Sequence, residues 1–279
     1  MKKIIKEVNK EQGVFQITTI DERWYTKQVK NSVTGLPDFD YYPSVTWITE
    51  SYPKGIGFYK WLADKGWDEA EALKQAAGDK GSKVHLAIVD LIDGKTVSME
   101  SRYINPTTEK EEELTLEEYD AIVSFSRWWN DLEDKPKVLA REIVVFNDEH
   151  RYAGTMDLVV EWNKEIWIID FKTSAYIWPS FELQLSAYKN ALLSELPNEL
   201  KNVEINNVKL GILQVGYRRN KDGYKFTEIE DQFDLFLAAK KIWRKDHGEE
   251  KPKQRNYPLE VSLVEEPKEI KVVKIKKSK

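Results

Sequence analysis

The chain has no cysteine among its 279 residues. That excludes disulfides, and it excludes an iron–sulfur cluster held by thiolates. No apolar run approaches the length that spans a bilayer, and the first residues, MKKIIKEVNK, lack the apolar middle of a secretory signal. A soluble, intracellular protein of the cytoplasm is therefore expected. No Gly-x-x-x-x-Gly-Lys-Ser/Thr loop for nucleotide phosphates occurs, so coupling to an ATP-driven motor would need a second protein. Excess positive charge is missing too: 43 Lys and Arg stand against 48 Asp and Glu, a net charge of −5. A uniformly basic nucleic-acid binder is unlike this, and the question passes to where the cations lie.

What is present is a core. With 41% hydrophobic residues and ten Trp, the chain can bury a large interior, most simply as one elaborated α/β domain over residues 1–250. Charge is uneven. Residues 100–120 carry an acidic excess, whereas residues 251–279 form a Lys-rich tail that could hold a phosphate backbone or be an ordinary solvated end.

The most informative stretch runs from Arg151 to Asn190. Met156–Trp162 and Glu165–Phe171 are rich in Val, Ile and Trp, and Asn163-Lys164 between them predicts a two-residue hairpin turn. Counting back from Trp162 opposite Glu165 puts Asp157 opposite Asp170. Alternation then places Lys172 on the face of Asp170, with Trp167, Ile169 and Phe171 turned the other way into apolar packing. Like charges directly opposed destabilise a strand pair, and a divalent cation between them would remove the repulsion. Two carboxylates and an ammonium on one face are what metal-assisted phosphodiester hydrolysis needs. A solvated strand edge would explain an isolated Asp-x-Lys, but it does not explain an apolar run leading into the first acid and a second acid in register.

In chain order, residues 1–50 read as a β-rich lead-in, with strands Val14–Thr19 and Trp24–Val29 around an Asp21-Glu22 turn and an irregular aromatic segment Phe39–Pro43. Ser44 and Thr46 could offer hydroxyls to a phosphate or serve as plain caps. Residues 55–77 read as helical with a break near Gly66, then Gly78–Gly81 as a loop, then a helix capped by Ser82 with His85 in its first turn. The positive end of that helix would favour neutral imidazole, the metal-binding form, although a His on an apolar face is more often a hydrogen-bonded core residue. Thr108–Glu113 reads as a surface loop, and Thr115-Leu116-Glu117-Glu118 as a capping box opening a helix through Leu132. Its Trp128-Trp129 pair could stack bases but suits the core better. Alternation along Val138–Phe146 puts Glu142 among Ala140, Val144 and Phe146, where it needs a metal or an ion pair with Arg141 or Arg151. His150 and Arg151 sit in the turn that follows. A helix from Ser180 to Leu193 aligns Gln184 with Tyr188, and Thr173 and Ser174 follow Lys172 as possible phosphate donors. Val208–Tyr217 and Tyr224–Ile229 predict two strands around the basic turn 218–223, Asp231 caps a closing helix, and 259–264 could add an edge strand.

These residues resemble a known family. Gly154–Asp157, Ile168–Ser174 and Gln184–Tyr188, preceded by Gly81–His85 and Pro43–Thr46, look like the ordered motifs of the RecB-type branch of the PD-(D/E)XK nuclease superfamily, over about residues 42–188. The pattern is similar to stand-alone mitochondrial, phage and CRISPR-associated exonucleases. The resemblance implies a restriction-endonuclease-like α/β core, a mixed central sheet flanked by helices, with a helical insertion arching over the site. It implies Mg²⁺ or Mn²⁺ held by His85, Asp157, Asp170 and the Phe171 carbonyl, with Lys172 positioning or deprotonating the attacking water. It implies that Glu142 is the acid preceding the Gly-x-x-Asp motif, and that Gln184 and Tyr188 lie beside the active site and help orient DNA or the lysine; Thr173, Ser174, Ser44, Thr46 and Arg151 are candidate DNA contacts by their own chemistry and position. An exonuclease on single-stranded DNA or DNA ends, in repair, recombination or replication, is expected, with a separate helicase, recombinase or single-strand-binding protein as partner and a phage origin left open. Several relatives add an iron–sulfur cluster through four cysteines, which this chain cannot do. A site-specific endonuclease and a non-catalytic DNA-binding protein on the same fold are the alternatives.

Overall fold

The computed structural model describes residues 4–9, 13–19, 22–30, 37–205, 207–248 and 251–252. Asp21 of the expected first turn, the alternating stretch 259–264 and almost all of the Lys-rich tail lie outside the described residues.

The lead-in is a four-stranded antiparallel sheet of β1 (Ile4–Asn9), β2 (Val14–Thr18), β3 (Arg23–Lys30) and β4 (Pro37–Pro43) in that order. The aromatic segment expected to be irregular is thus a strand, because Pro37 to Pro43 pairs residue for residue with Lys30 to Trp24. Ser44 caps the short α1 (Val45–Thr49), its Oγ accepting from the Trp47 N–H at 3.1 Å.

Next come α2 (Ile56–Lys65) and α3 (Trp67–Ile92), separated by Gly66 at φ +75°. The break at Gly66 is as the sequence predicts, but α3 is one helix of 26 residues, with no loop at Gly78–Gly81 and no cap at Ser82. Ser82 instead donates its hydroxyl to the Gly78 carbonyl. The middle of α3 is held from outside: Asp79 accepts from Thr107 at 2.9 Å, and buried Lys83 meets buried Glu118 at 2.9 Å. Breaking the helix there would strand a buried charge.

A small hairpin, β5 (Arg102–Ile104) and β6 (Glu111–Glu113), replaces part of the expected surface loop. It leads to α4 (Leu116–Asp131), which opens with the predicted Thr115/Glu118 capping box. Trp128, 2% exposed, is core.

The remaining strands form the central sheet. They are β7 (Lys137–Asn147), β8 (Tyr152–Trp162), β9 (Glu165–Lys172), then after α5 (Pro179–Ser194) β10 (Val208–Val215) and β11 (Tyr224–Ile229), closed by α6 (Phe233–His247). Their order is β11-β10-β9-β8-β7, with β9 and β10 parallel and the other neighbours antiparallel. Alternation sorts the core. Val159, Ile166 and Ile168 pack with Leu183 and Ala187 of α5 and Phe236 of α6, whereas Leu158, Val160, Trp167, Ile169 and Phe171 pack with Val84 and Ile88 of α3 and Phe125 of α4. Asp231, expected to cap α6, accepts from the Phe233 N–H, but the capping position is Gln232. Among the described residues, no helix is long and apolar enough to cross a membrane.

The β8–β9 register runs from Trp162 opposite Glu165 to Leu158 opposite Ile169, as counted from the turn. Asn163 and Lys164 both have left-handed backbones, φ +53° and +63°, the requirement of a type I′ turn. Lysine at such a position costs roughly 1 kcal/mol or more relative to glycine. Lys164→Gly is therefore expected to raise the thermal midpoint by about 2–4 °C, and a midpoint that falls would show that the Lys164 side chain contributes more than its backbone costs.

Candidate active site

His85, Glu142, Asp157, Asp170, Lys172, Gln184 and Tyr188 converge where the middle of β8 meets the end of β9 and helices come in from both sheet faces. Asp157 Oδ2 accepts from the Phe171 N–H at 2.8 Å, so the first acid is tied to the backbone between the second acid and the lysine. His85, in the C-terminal third of α3, reaches in from the opposite side: its Nδ1 lies 3.5 Å from Asp157 Oδ2, and its Nε2 donates to the Phe171 carbonyl at 2.9 Å.

Glu142 joins this pair. Ligand atoms of His85, Glu142 and Asp157 all lie within 4.8 Å of one another, a group able to hold a metal ion. Its placement corrects the expected alternation of β7. Glu142 has φ +47°, and Ala140, Ile143 and Val145 share one core cluster while Val144 and Phe146 pack in another. The left-handed residue shifts the alternation by one, so Glu142 leaves the apolar face and points into the site. Such a backbone costs of order 1–3 kcal/mol and persists where the surroundings impose it. The expected ion-pair partners are engaged elsewhere: Arg141 with Asp93 at 2.5 Å, and Arg151 with Tyr42 and Asp40.

Asp170 has different partners. Its Oδ2 lies 2.5 Å from Lys172 Nζ, and its Oδ1 accepts from Gln184 Nε2 at 3.1 Å. Gln184 also donates to Tyr188 Oη at 3.0 Å, and its Oε1 accepts from Lys172 at 3.3 Å. Asp170, Lys172, Gln184 and Tyr188 thus form one network on the α5 side, next to the His85–Glu142–Asp157 group. The Lys172 ammonium also lies 4.6 Å from the centre of the Phe181 ring. Sequence reading passed over Phe181, although it precedes Gln184 by three residues and so shares its helical face.

The electrostatics are those of crowded acids. Burial of the carboxyl, then the charge of Asp157, push Glu142 up to about 7, although the residue as a whole keeps contact with solvent. Burial pushes Asp170 up to about 6, with Asp157 adding to the rise and Lys172 opposing it. Burial of Asp157 acts in the same sense but is outweighed by the charge and hydrogen bond of His85, by Lys172 and by the Phe171 N–H, so its pKa is lowered. For His85, burial acts downward, and Asp157 overcomes it to raise the imidazole to about 9. The neutral His85 expected from a helix N-terminus is therefore corrected: the residue sits in the C-terminal third of α3 and its charge is set by Asp157. A divalent cation would take the place of these protons, and one imidazole, two carboxylates and the adjacent Phe171 carbonyl make a donor set that fits one.

A cleft of about 210 Å³ opens here, lined by Gly78, Gly81, Ser82 and His85 of α3 and by Phe171, Lys172 and Thr173. Other sequence candidates lie differently. The Ser174 hydroxyl donates to the Tyr176 carbonyl. Ser44 is buried as the α1 cap, with Thr46 Oγ1 3.1 Å from its hydroxyl. Arg151 stacks 4.2 Å over Tyr42 at the β7–β8 turn.

One family model matches the chain over residues 58–260, and it describes the PD-(D/E)XK nuclease superfamily. No curated protein matches.

Proposed function

Because the chain belongs to the PD-(D/E)XK nuclease superfamily, we propose that it is a metal-dependent exonuclease of the RecB-type branch, acting on single-stranded DNA or DNA ends. The observation that carries this is the meeting of His85, Glu142 and Asp157 with the Asp170–Lys172 pair beside an open cleft. His85 in contact with Asp157 and Phe171, and Gln184 bridging Asp170 to Tyr188, support the RecB-type reading.

His85, Glu142, Asp157 and the Phe171 carbonyl would hold Mg²⁺ or Mn²⁺, with Asp170 at the border of the set. The bound cation supplies Lewis-acid polarisation of the phosphate and a water of lowered pKa. Asp170 and Gln184 fix Lys172 so that its ammonium faces the attacking water or the developing negative charge. Phe181 shields the other side of that ammonium and keeps it aimed at the cleft.

The test is degradation of end-labelled single-stranded and duplex DNA with Mg²⁺, Mn²⁺ or EDTA, beside Lys172→Ala. Loss of the label only with metal and only with the lysine is expected, with a rate at least ~100-fold lower in the variant. Internal fragments in place of progressive shortening would replace the exonuclease by an endonuclease. Intact DNA under every metal would end the catalytic reading.

The protonation pattern sets a pH dependence. Glu142 at about 7, Asp170 at about 6 and His85 at about 9 must all shed protons before their lone pairs are available to a cation. Metal binding releases protons, so affinity rises with pH. The metal concentration giving half-maximal cleavage is expected to fall steadily between pH 6 and pH 9. A metal requirement independent of pH over that window contradicts the assignment.

A further inference from the structure

We propose that Tyr176, Trp178 and Arg219 form a stacking subsite for the bases of single-stranded DNA at the mouth of the cleft. The inference rests on the nuclease reading above and adds to it the form of DNA the cleft takes in.

The parallel pairing of β9 with β10 is the starting point. Lys172 lies in register with Gln214, so the loop leaving β9 and the turn leaving β10 emerge on the same side of the sheet, at the strand ends where α/β proteins hold ligands. The first carries Thr173, which lines the cleft, then Tyr176 and Trp178. The second is the basic turn with Arg218, Arg219 and Lys221, for which the cleavage chemistry has no use.

The two segments are joined. Gln214 Nε2 donates to the Ser174 carbonyl at 2.8 Å, and the Arg219 guanidinium lies 4.4 Å from the centre of the Tyr176 ring. Arg218 does something else: it bonds Glu117 at 2.6 Å and anchors the turn to α4. Arg219 thus brings its charge to the aromatic loop from a turn held at its base.

The rings are held outward by a braced backbone. The Ser174 hydroxyl bonds the Tyr176 carbonyl at 2.8 Å, and the Trp178 carbonyl accepts from the Phe181 N–H at 2.8 Å as Trp178 caps α5. Even so, Tyr176 is 55% exposed and Trp178 51% exposed, with ring centres 5.8 Å apart. A single exposed aromatic is ordinary. Two on one braced loop, with a guanidinium over one of them and Lys172 of the reaction site four residues away, are a platform at the entrance to that site.

The occupant follows from the chemistry. Every nucleobase has a π-face, and stacking on aromatic side chains is sequence-tolerant. Duplex bases cover one another's faces, so a strand must be single to use the platform. Arg219 adds cation–π support and a charge for the phosphate between bases. Across the cleft, α3 presents Gly78 and Gly81 in place of side chains. A Cβ at Gly78 would meet nothing within 4 Å, which leaves room for a strand to pass.

The test is fluorescence anisotropy of labelled oligothymidylate, and of an equally long strand of abasic residues, in EDTA so that neither is cut. The protein is expected to bind the base-bearing strand about tenfold or more tighter. Trp178→Ala and Tyr176→Ala each remove most of that preference while leaving affinity for the abasic strand unchanged, and Trp178→Phe restores it. Equal affinity of the unaltered protein for the two strands overturns the proposal, as do alanine variants that weaken both strands alike. Adding Mg²⁺ to the same samples separates the two readings. An intact base preference without cleavage removes the nuclease assignment and keeps the subsite, and cleavage without base preference does the reverse.

Discussion

Asp157→Asn is expected to lower metal-dependent cleavage by at least ~100-fold while the protein stays folded. The substitution is nearly isosteric, and an amide oxygen can still accept the Phe171 N–H that now bonds Asp157 at 2.8 Å. What disappears is a full negative charge among His85, Glu142 and Phe171, and with it several kcal/mol of interaction with a divalent ion. A second readout separates lost chemistry from lost structure. Asp157 holds the His85 imidazole at about 9, so its removal should return that titration toward the ordinary value near 6.5, measurable by NMR of the ring protons. A variant that cleaves at a near-normal rate would show that the ion is held without Asp157. An unchanged His85 titration would show that the pair does not interact.

Gly154→Ala is the change expected to do most damage from outside the cleft. A Cβ at Gly154 would lie 2.3 Å from Cε1 of Tyr188, inside any real contact distance, and Tyr188 is 3% exposed with little room to retreat. Overpacking of this kind costs about 1–3 kcal/mol, or several degrees in thermal midpoint for a domain of this size. The larger consequence is local. Tyr188 accepts from Gln184, which bonds both Asp170 and Lys172, so displacing the ring moves the groups bonded to the ammonium. The rate should fall about tenfold or more at saturating metal. A smaller side chain at Tyr188 combined with Gly154→Ala should recover stability without recovering rate, and a double variant regaining both would remove the Gln184 network from the mechanism.

The hairpin was legible because its determinants are local. Two turn residues fix the register and alternation fixes the faces, so the pairing from Trp162–Glu165 to Leu158–Ile169 follows directly from Asn163-Lys164. The Thr115/Glu118 box is equally local. The continuity of α3 was not legible. Gly78, Gly81 and Ser82 are ordinary helix-ending signals, overridden by the bonds of Asp79 to Thr107 and Lys83 to Glu118, which form only once distant segments arrive. Glu142 shows a second limit: a left-handed residue other than glycine leaves no pattern, so its departure from the β7 alternation could not be counted out. The sequence brought the two aspartates close, but their division of partners depends on which helix reaches each one. α3 brings His85 to Asp157, and α5 brings Gln184 to Asp170.

The unbroken course of α3 has a consequence for local unfolding. Gly78 and Gly81 sit in mid-helix along the cleft, and each weakens a helix interior by about 1 kcal/mol relative to alanine. N-terminal to them nearly every residue back to Trp67 is exposed, whereas beyond them Lys83, Val84, Ala87 and Ile88 are buried. The opening free energy is thus lowest in the outer turns, and it rises steeply one turn before His85. The helix can fray up to the glycines while the imidazole stays seated, a rod whose compliant joint lies at the rim of the cleft.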